Sequence, residues 1–149
     1  MSINIYFSFH YEDLRNADII RSSVQPPPSA HTGFYSKKIW EDTQKKGDTA
    51  IKRLIDQGLS NTDVTIFLVG AKTHRRRLCK YELERSLAAR KWILGIHLPN
   101  QMERGSSDWL RLKGIPVFEW DRRTLLGWIR DCEKKGPPGQ AESKSATAS

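Results

Sequence analysis

The fold is indicated most clearly by the sequence Val64-Thr-Ile-Phe-Leu-Val69, which continues as Gly70-Ala-Lys-Thr-His-Arg-Arg-Arg-Leu-Cys-Lys-Tyr-Glu-Leu-Glu-Arg-Ser-Leu87. The first six residues form a near-continuous apolar run, which is typical of a parallel strand buried on both faces of a sheet. The loop that follows is polar and leads into a helical pattern whose inward face is marked by Cys79, Leu83, Ser86 and Leu87. The stretch therefore predicts a buried strand, a polar loop and a helix over residues 79–90.

The rest of the chain continues this alternation of strands and helices. Apolar runs predict further strands over residues 4–9, 92–98 and 115–120, with a short second strand around residues 34 and 35. Three- and four-residue apolar spacing predicts helices over residues 12–22 and 48–59, and Asp121 is placed to cap a last helix through Cys132. Alternation of this kind implies right-handed crossovers between parallel strands.

These elements predict an α/β protein with a flavodoxin-like fold, in which a five-stranded, mainly parallel sheet has helices on both faces. In the strand order 2-1-3-4-5, ligands bind outside the carboxyl ends of strands one and three. Strand one would end at Ser8, Phe9 and His10, and strand three at Gly70. The helix that carries Glu82 follows strand three, so these segments are expected to meet at one cleft.

The length and composition bound the class of protein. With 149 residues, the chain is predicted to form one domain over residues 1–133, followed by a small, polar and disordered tail over residues 134–149. No apolar run approaches the roughly 18 residues of a membrane span, and the first residues lack the pattern of a secretory signal. The two cysteines indicate no disulfide framework, so a cytoplasmic location without membrane association is expected.

The sequence lacks the spacing of common metal and nucleotide motifs. The four histidines are dispersed and Cys79 lies far from Cys132, so no metal site is predicted. There is also no glycine-rich dinucleotide fingerprint, no Walker loop and no nucleophile elbow. The net charge of +8 favours an anionic partner, but it does not choose among nucleic acid, a phosphorylated small molecule and an acidic surface.

Two motifs resemble one protein family. The opening Tyr6-Phe-Ser-Phe-His-Tyr-Glu-Asp13 looks like the first strand and loop of the TIR-like proteins. The strand 64–70, the following Thr73 and the helix sequence Cys79-Lys-Tyr-Glu-Leu-Glu-Arg-Ser86 resemble their strand-three and third-helix signature. Within that family the resemblance is to the ThsB-like subgroup, the TIR-like component of the Thoeris antiphage system of bacteria, and it covers residues 3–130. The family usually has Trp before the Cys position, where this chain has Leu78.

This resemblance implies an enzyme that cleaves NAD with Glu82 as its catalytic residue. In ThsB-like proteins the product is thought to be a cyclic ADP-ribose-type signal that activates a separate effector protein. NAD would be a substrate rather than a cofactor, and no other cofactor is implied. TIR domains often act as oligomers, so the resemblance leaves a homo-oligomer open, and it does not favour nucleic acid as a partner.

The residue types themselves suit this chemistry. Breaking the bond between ribose and nicotinamide builds positive charge at the anomeric carbon, and a nearby carboxylate such as Glu82 stabilises that charge. Nicotinamide leaves as a neutral molecule, so no second acid is needed to protonate it. The candidate substrate-binding residues near Glu82 are Ser8, Phe9, His10, Thr73, Arg75 and Cys79.

Each assignment has a simpler structural alternative. Glu82 would be a solvated carboxylate that pairs with Lys80 or Arg85, Phe9 a core residue, and the arginine run 75–77 a solvated basic loop. For the whole protein, the main alternative is a non-catalytic TIR adaptor that acts through domain association. A nucleic-acid-binding domain ranks last, although the net charge would suit it.

Overall fold

The computed structural model describes residues 4–9, 13–23, 37–60, 62–99 and 105–135, and strands and helices alternate along them. In chain order the elements are β1 (Ile5–Ser8), α1 (Leu14–Ser23), α2 (Lys37–Gln44), α3 (Asp48–Ser60), β2 (Val64–Val69), α4 (Arg77–Ala88), β3 (Trp92–His97), α5 (Asp108–Arg111), β4 (Val117–Glu119) and α6 (Arg122–Lys135). A short 3-10 helix, Thr73–Arg75, lies between β2 and α4.

The described strands form one parallel sheet in the order β1-β2-β3-β4. Val64, the first residue of β2, is level with Ile5 on one side and with Trp92 on the other. This parallel sheet confirms the predicted α/β class, and the order agrees with the flavodoxin-like arrangement for four of its five strands. The predicted second strand, around residues 34 and 35, lies outside the described residues.

Alternation along the strands gives the sheet two apolar faces. On the first face, strand residues pack with Ala17 and Ile20 of α1 and with Leu125 and Ile129 of α6. On the opposite face, two further clusters connect the sheet to α3, α4 and α5. Helices therefore cover both faces of the sheet, as the sequence predicts.

Several predicted boundaries differ from those of the structure, and two of these differences have a clear local cause. The last strand begins at Val117 rather than Ile115, because the backbone N–H of Ile115 bonds to the carbonyl of Leu110 and closes the turn after α5. The helix predicted over 79–90 runs from Arg77 to Ala88, and Arg90 beyond it has a left-handed backbone with φ of 56°. A helix cannot continue through that conformation.

Helix α6 begins as expected from its cap. A carboxylate oxygen of Asp121 accepts the backbone N–H of Arg123 at 3.2 Å, and the other accepts the hydroxyl of Thr124 at 2.9 Å. The helix runs to Lys135, two residues beyond the predicted domain boundary, and the rest of the predicted tail lies outside the described residues. Among the described helices, none is long and apolar enough to cross a membrane.

Candidate functional site

Glu82 lies against the last residues of β1 and is almost fully buried, with 6% of its surface exposed. The hydroxyl of Tyr6 donates a hydrogen bond to its Oε2 at 2.5 Å, and the hydroxyl of Ser8 donates to its Oε1 at 2.8 Å. The alternative interpretation of a solvated carboxylate paired with Lys80 or Arg85 is therefore wrong. Instead, Arg85 contacts Asp56 of α3 at 3.2 Å.

The local sequence explains how these three side chains meet. Tyr6 and Ser8 are two residues apart in a strand, so both point to the face that α4 covers. On α4, Cys79 lies three residues before Glu82 and Ser86 lies four residues after it, which places all three on one stripe of the helix. All are buried, and Ser86 shares a 2.9 Å hydrogen bond with Thr65 of β2.

Opposing effects set the charge state of Glu82. Burial is the largest of them, and it raises the pKa of the carboxyl group above its usual value of 4.5. The hydrogen bonds from Tyr6 and Ser8 lower that pKa, as do the nearby charges of Arg76 and Lys91. The site thus combines a desolvated carboxylate with donors and cations that favour its ionised form, a combination frequent at functional sites.

Glutamine at position 82 is expected to stabilise the fold increasingly as the pH rises. A carboxyl group with a raised folded-state pKa contributes stability below its unfolded value, near pH 4.5, and loses that contribution as the pH rises through the folded-state pKa. Glutamine does not titrate, so the free energy of unfolding of Glu82→Gln minus that of the wild type should increase from pH 4.5 towards neutrality. Urea unfolding of both proteins across this range measures the difference. A difference independent of pH would contradict the burial of a titrating Glu82.

Lys91 immediately precedes β3 and lies near the Tyr6 ring. A role for this residue at the site was not predicted from the sequence. Its Nζ donates hydrogen bonds to the carbonyl of Leu59 at 3.2 Å and to the hydroxyl of Thr62, and it lies 5.7 Å from the centre of the Tyr6 ring. Burial lowers the pKa of Lys91 to about 8, although the charges of Asp63 and Glu82 oppose this. Two hydrogen bonds thus hold this buried amino group close to the ring of Tyr6.

Cys79 is a neighbour of Glu82, as predicted, but its thiol is unsuited to nucleophilic chemistry. Burial raises its pKa to about 12, and the negative charge of Glu82 acts in the same direction. The nearby Ser8 side chain and the charge of Arg76 lower this pKa in opposition, and Nη1 of Arg76 lies 3.5 Å from the Cys79 sulfur. Arg75 is predicted to bind substrate, and its neighbour Arg76 is the residue that contacts this cluster through Cys79.

The other predicted residues are placed differently. Thr73 is buried in the turn after β2, where its hydroxyl accepts the backbone N–H of Gly70 at 2.7 Å, and Arg75 is exposed. Phe9 packs against the core cluster on the opposite face of the sheet, which agrees with its interpretation as a core residue. His10 lies outside the described residues. Substrate binding by these four residues stays a prediction.

The sequence contained a partial signal for the residues that were missed. Tyr6 has a hydroxyl on the same face as Ser8, so strand alternation alone would have placed it beside the same helix. Arg76 and Arg75 are equivalent in the sequence, because only the turn of the 3-10 helix determines which of them points inward. Nothing in the pattern distinguishes Lys91 from a surface lysine at the start of a strand.

Two comparisons with known proteins identify the family. The family model for "Thoeris protein ThsB, TIR-like domain" matches residues 6–103. A protein of Bacillus cereus (strain MSX-D12), named "Putative cyclic ADP-D-ribose synthase ThsB1", is 38% identical over 101 residues, which are 66% of this chain and 53% of that protein. The chain thus spans about half the length of this relative. Because the family match includes Tyr6, Ser8 and Glu82 and covers more than half of the sequence, the chain belongs to the ThsB TIR-like domain family.

Proposed function

We propose that this protein cleaves NAD between ribose and nicotinamide, with Glu82 as the catalytic carboxylate, and releases a cyclic ADP-ribose-type product. The observation that carries the proposal is the buried carboxylate of Glu82, which accepts hydrogen bonds from Tyr6 and Ser8 at the end of β1. In a parallel α/β sheet, ligands bind outside the carboxyl ends of the strands. Glu82 lies beside that end of β1.

The energetic cost of the arrangement argues for a catalytic role. A buried carboxylate lowers stability unless it is fully compensated, and a helix such as α4 could have an apolar residue at this inward position. An adaptor that works by surface association has no need of a desolvated carboxylate. An enzyme that stabilises developing positive charge does, because electrostatic interactions are stronger in a water-poor site.

The reaction needs a single carboxylate. The bond between the ribose anomeric carbon and the positively charged pyridinium nitrogen breaks, and its electron pair stays on that nitrogen, so nicotinamide leaves neutral and unprotonated. The ribose carbon becomes cationic, and the charge of Glu82 stabilises it. A nucleophilic atom of the remaining ADP-ribose then forms the new bond. Where the attacking atom carries a proton, the Glu82 carboxylate is placed to accept it.

Cyclisation is favoured over hydrolysis by the exclusion of water. Glu82 has only 6% of its surface exposed, and the neighbouring Ser8 and Cys79 are also buried. A poorly hydrated site lowers the chance that water captures the cationic ribose before a group of the same substrate does. The name of the Bacillus cereus relative, "Putative cyclic ADP-D-ribose synthase ThsB1", supports the same product class.

The proposed biological role follows from family membership. The family belongs to the Thoeris proteins, so the cyclic product would act as a diffusible signal that activates a separate effector protein during antiphage defence. NAD is then a substrate that the protein consumes. The protein needs no membrane and no nucleic acid for this role.

The proposal is tested by incubating the purified protein with NAD and analysing the products by mass spectrometry. We expect free nicotinamide and a product lighter than ADP-ribose by one water molecule, with far less of both formed by Glu82→Gln. ADP-ribose alone would keep the cleavage but refute the cyclisation. If neither the purified protein nor the protein in lysate of phage-infected cells consumes NAD, the enzyme assignment is wrong and the adaptor interpretation replaces it.

A further inference from the structure

The two oxygens of Glu82 are bound by two different residues of β1. Tyr6 donates to Oε2 at 2.5 Å, which is short for a hydrogen bond between oxygens, and Ser8 donates to Oε1 at 2.8 Å. Short bonds of this kind are typical of an ionised acceptor. Both donors and the acceptor are buried, so neither bond competes with bulk water.

The donors of these two bonds lie at different depths along β1. Ser8 is the last residue of β1, at the carboxyl end of the strand, whereas Cys79 of α4 is contacted by Arg76 before the helix. Tyr6 lies two residues deeper in the strand, and the ammonium group of Lys91 lies 5.7 Å from the centre of its ring. Oε2 is therefore bound from the interior of the fold, whereas Oε1 is bound from the edge at which ligands reach sheets of this kind.

We propose that Tyr6 is a positioning residue for Glu82: its phenol anchors Oε2 from the interior and holds the carboxyl group in its charged form, so that Oε1 faces the substrate. This inference rests on the proposed function, and it adds a residue to the site that the sequence motifs did not single out. Tyr6 itself does not need to touch substrate. It acts through the orientation and the charge of the carboxylate.

Tyr6 is one of several neighbouring groups that influence the ionisation of Glu82. Among the residues that the structure describes, the charged and titratable side chains around the carboxylate are Tyr6 from β1, Cys79 from α4, Arg76 before α4 and Lys91 before β3. Among the influences that lower the pKa of Glu82, the hydrogen bond from Tyr6 is the largest. Removal of this hydroxyl leaves desolvation less opposed, so Glu82 should hold its proton to a higher pH.

The test compares Tyr6→Phe with Tyr81→Phe. Tyr81 is a matched control, because its hydroxyl bonds at 2.9 Å to Asp56 of α3 and not to Glu82. With ¹³C-labelled glutamate, the titration of the Glu82 Cδ resonance is assigned by its loss in Glu82→Gln. We expect a midpoint about one pH unit higher in Tyr6→Phe and unchanged in Tyr81→Phe. Equal midpoints in the wild type and Tyr6→Phe would overturn the proposal.

A kinetic profile provides the second measurement. In Tyr6→Phe the acidic limb of the kcat profile should move to higher pH by the same amount, with kcat recovering towards the wild-type value at high pH and KM changed by less than about twofold. A purely structural role would instead lower kcat equally at every pH. If the wild type does not cleave NAD, the proposed function fails, whereas the titration of Glu82 still decides the role of Tyr6.

A measurement on the wild-type protein covers the case in which Tyr6→Phe fails to fold. If the phenol bonds to the titrating carboxylate, the ¹³Cζ resonance of Tyr6 must shift with the same midpoint as the Cδ resonance of Glu82. Coincident midpoints support the proposal. Different midpoints, or a Tyr6 resonance that does not move, refute it without a substitution of Tyr6.

Discussion

Glutamine in place of Glu82 is expected to lower kcat/KM for NAD cleavage by about 10²- to 10³-fold, which corresponds to roughly 3 to 4 kcal/mol of lost transition-state stabilisation. The physical reason is the loss of a full negative charge from a site with very little water. Glutamine has nearly the same shape, so it can still accept the hydroxyl of Ser8 and donate to the oxygen of Tyr6. Nicotinamide release measured under initial-rate conditions gives the comparison.

Glu84 provides the matched control for this experiment. It is exposed and lies two residues further along α4, about 200° around the helix axis, so Glu84→Gln makes the same chemical change outside the site. It should leave kcat/KM within about twofold, as is usual for surface substitutions far from a site. Because Glu82→Gln is not expected to unfold the protein, equal activity in Glu82→Gln and the wild type would exclude Glu82 as the catalytic residue.

Much of the scaffold of this site could be predicted because it follows from periodicity. The apolar run 64–69 and the three- and four-residue spacing of α4 are enough to indicate a buried strand and its covering helix. The same spacing places Glu82 between Cys79 and Ser86 on the inward stripe. The charge of a glutamate side chain favours a position in solvent. The family resemblance was therefore needed to predict a catalytic role for Glu82.

The parts that could not be predicted depend on local turns and on tertiary contacts. The four-residue helix α5 is too short to show a helical period. Helix α2 follows a stretch that contains proline and glycine, so its first residue cannot be recognised from the sequence. The choice between Arg75 and Arg76 depends on the 3-10 turn that precedes α4. Burial of Lys91 depends on acceptors supplied by Leu59 and Thr62, about thirty residues earlier in the chain.

Alanine at position 105 is expected to cost about 3 kcal/mol or more of stability, the largest effect on folding that we anticipate from a single methyl group. A Cβ on Gly105 would overlap the carbonyl oxygen of Gly70 and would lie 3.1 Å from that of Ala71. Both atoms belong to the backbone of the turn after β2, so no side chain can rotate away. The hydrogen bond between Gly70 and Thr73 also closes that turn. To accommodate the methyl group, the turn and the segment at residue 105 would have to move apart.

Gly127 gives the opposite expectation for the same substitution. It lies inside α6, and a Cβ built there would meet nothing within 4 Å. Gly127→Ala should therefore raise the free energy of unfolding by about 0.5 to 1 kcal/mol, because alanine loses less backbone entropy than glycine when a helix forms. Urea unfolding of the wild type and both variants compares the two positions with one chemical change.

Gly105→Ala with a stability close to that of the wild type would show that the segment at 105 does not pack against the turn after β2. Gly70 follows β2, which pairs with β1, the strand that hydrogen-bonds to Glu82, so Gly105 is expected to support the site through this backbone contact alone.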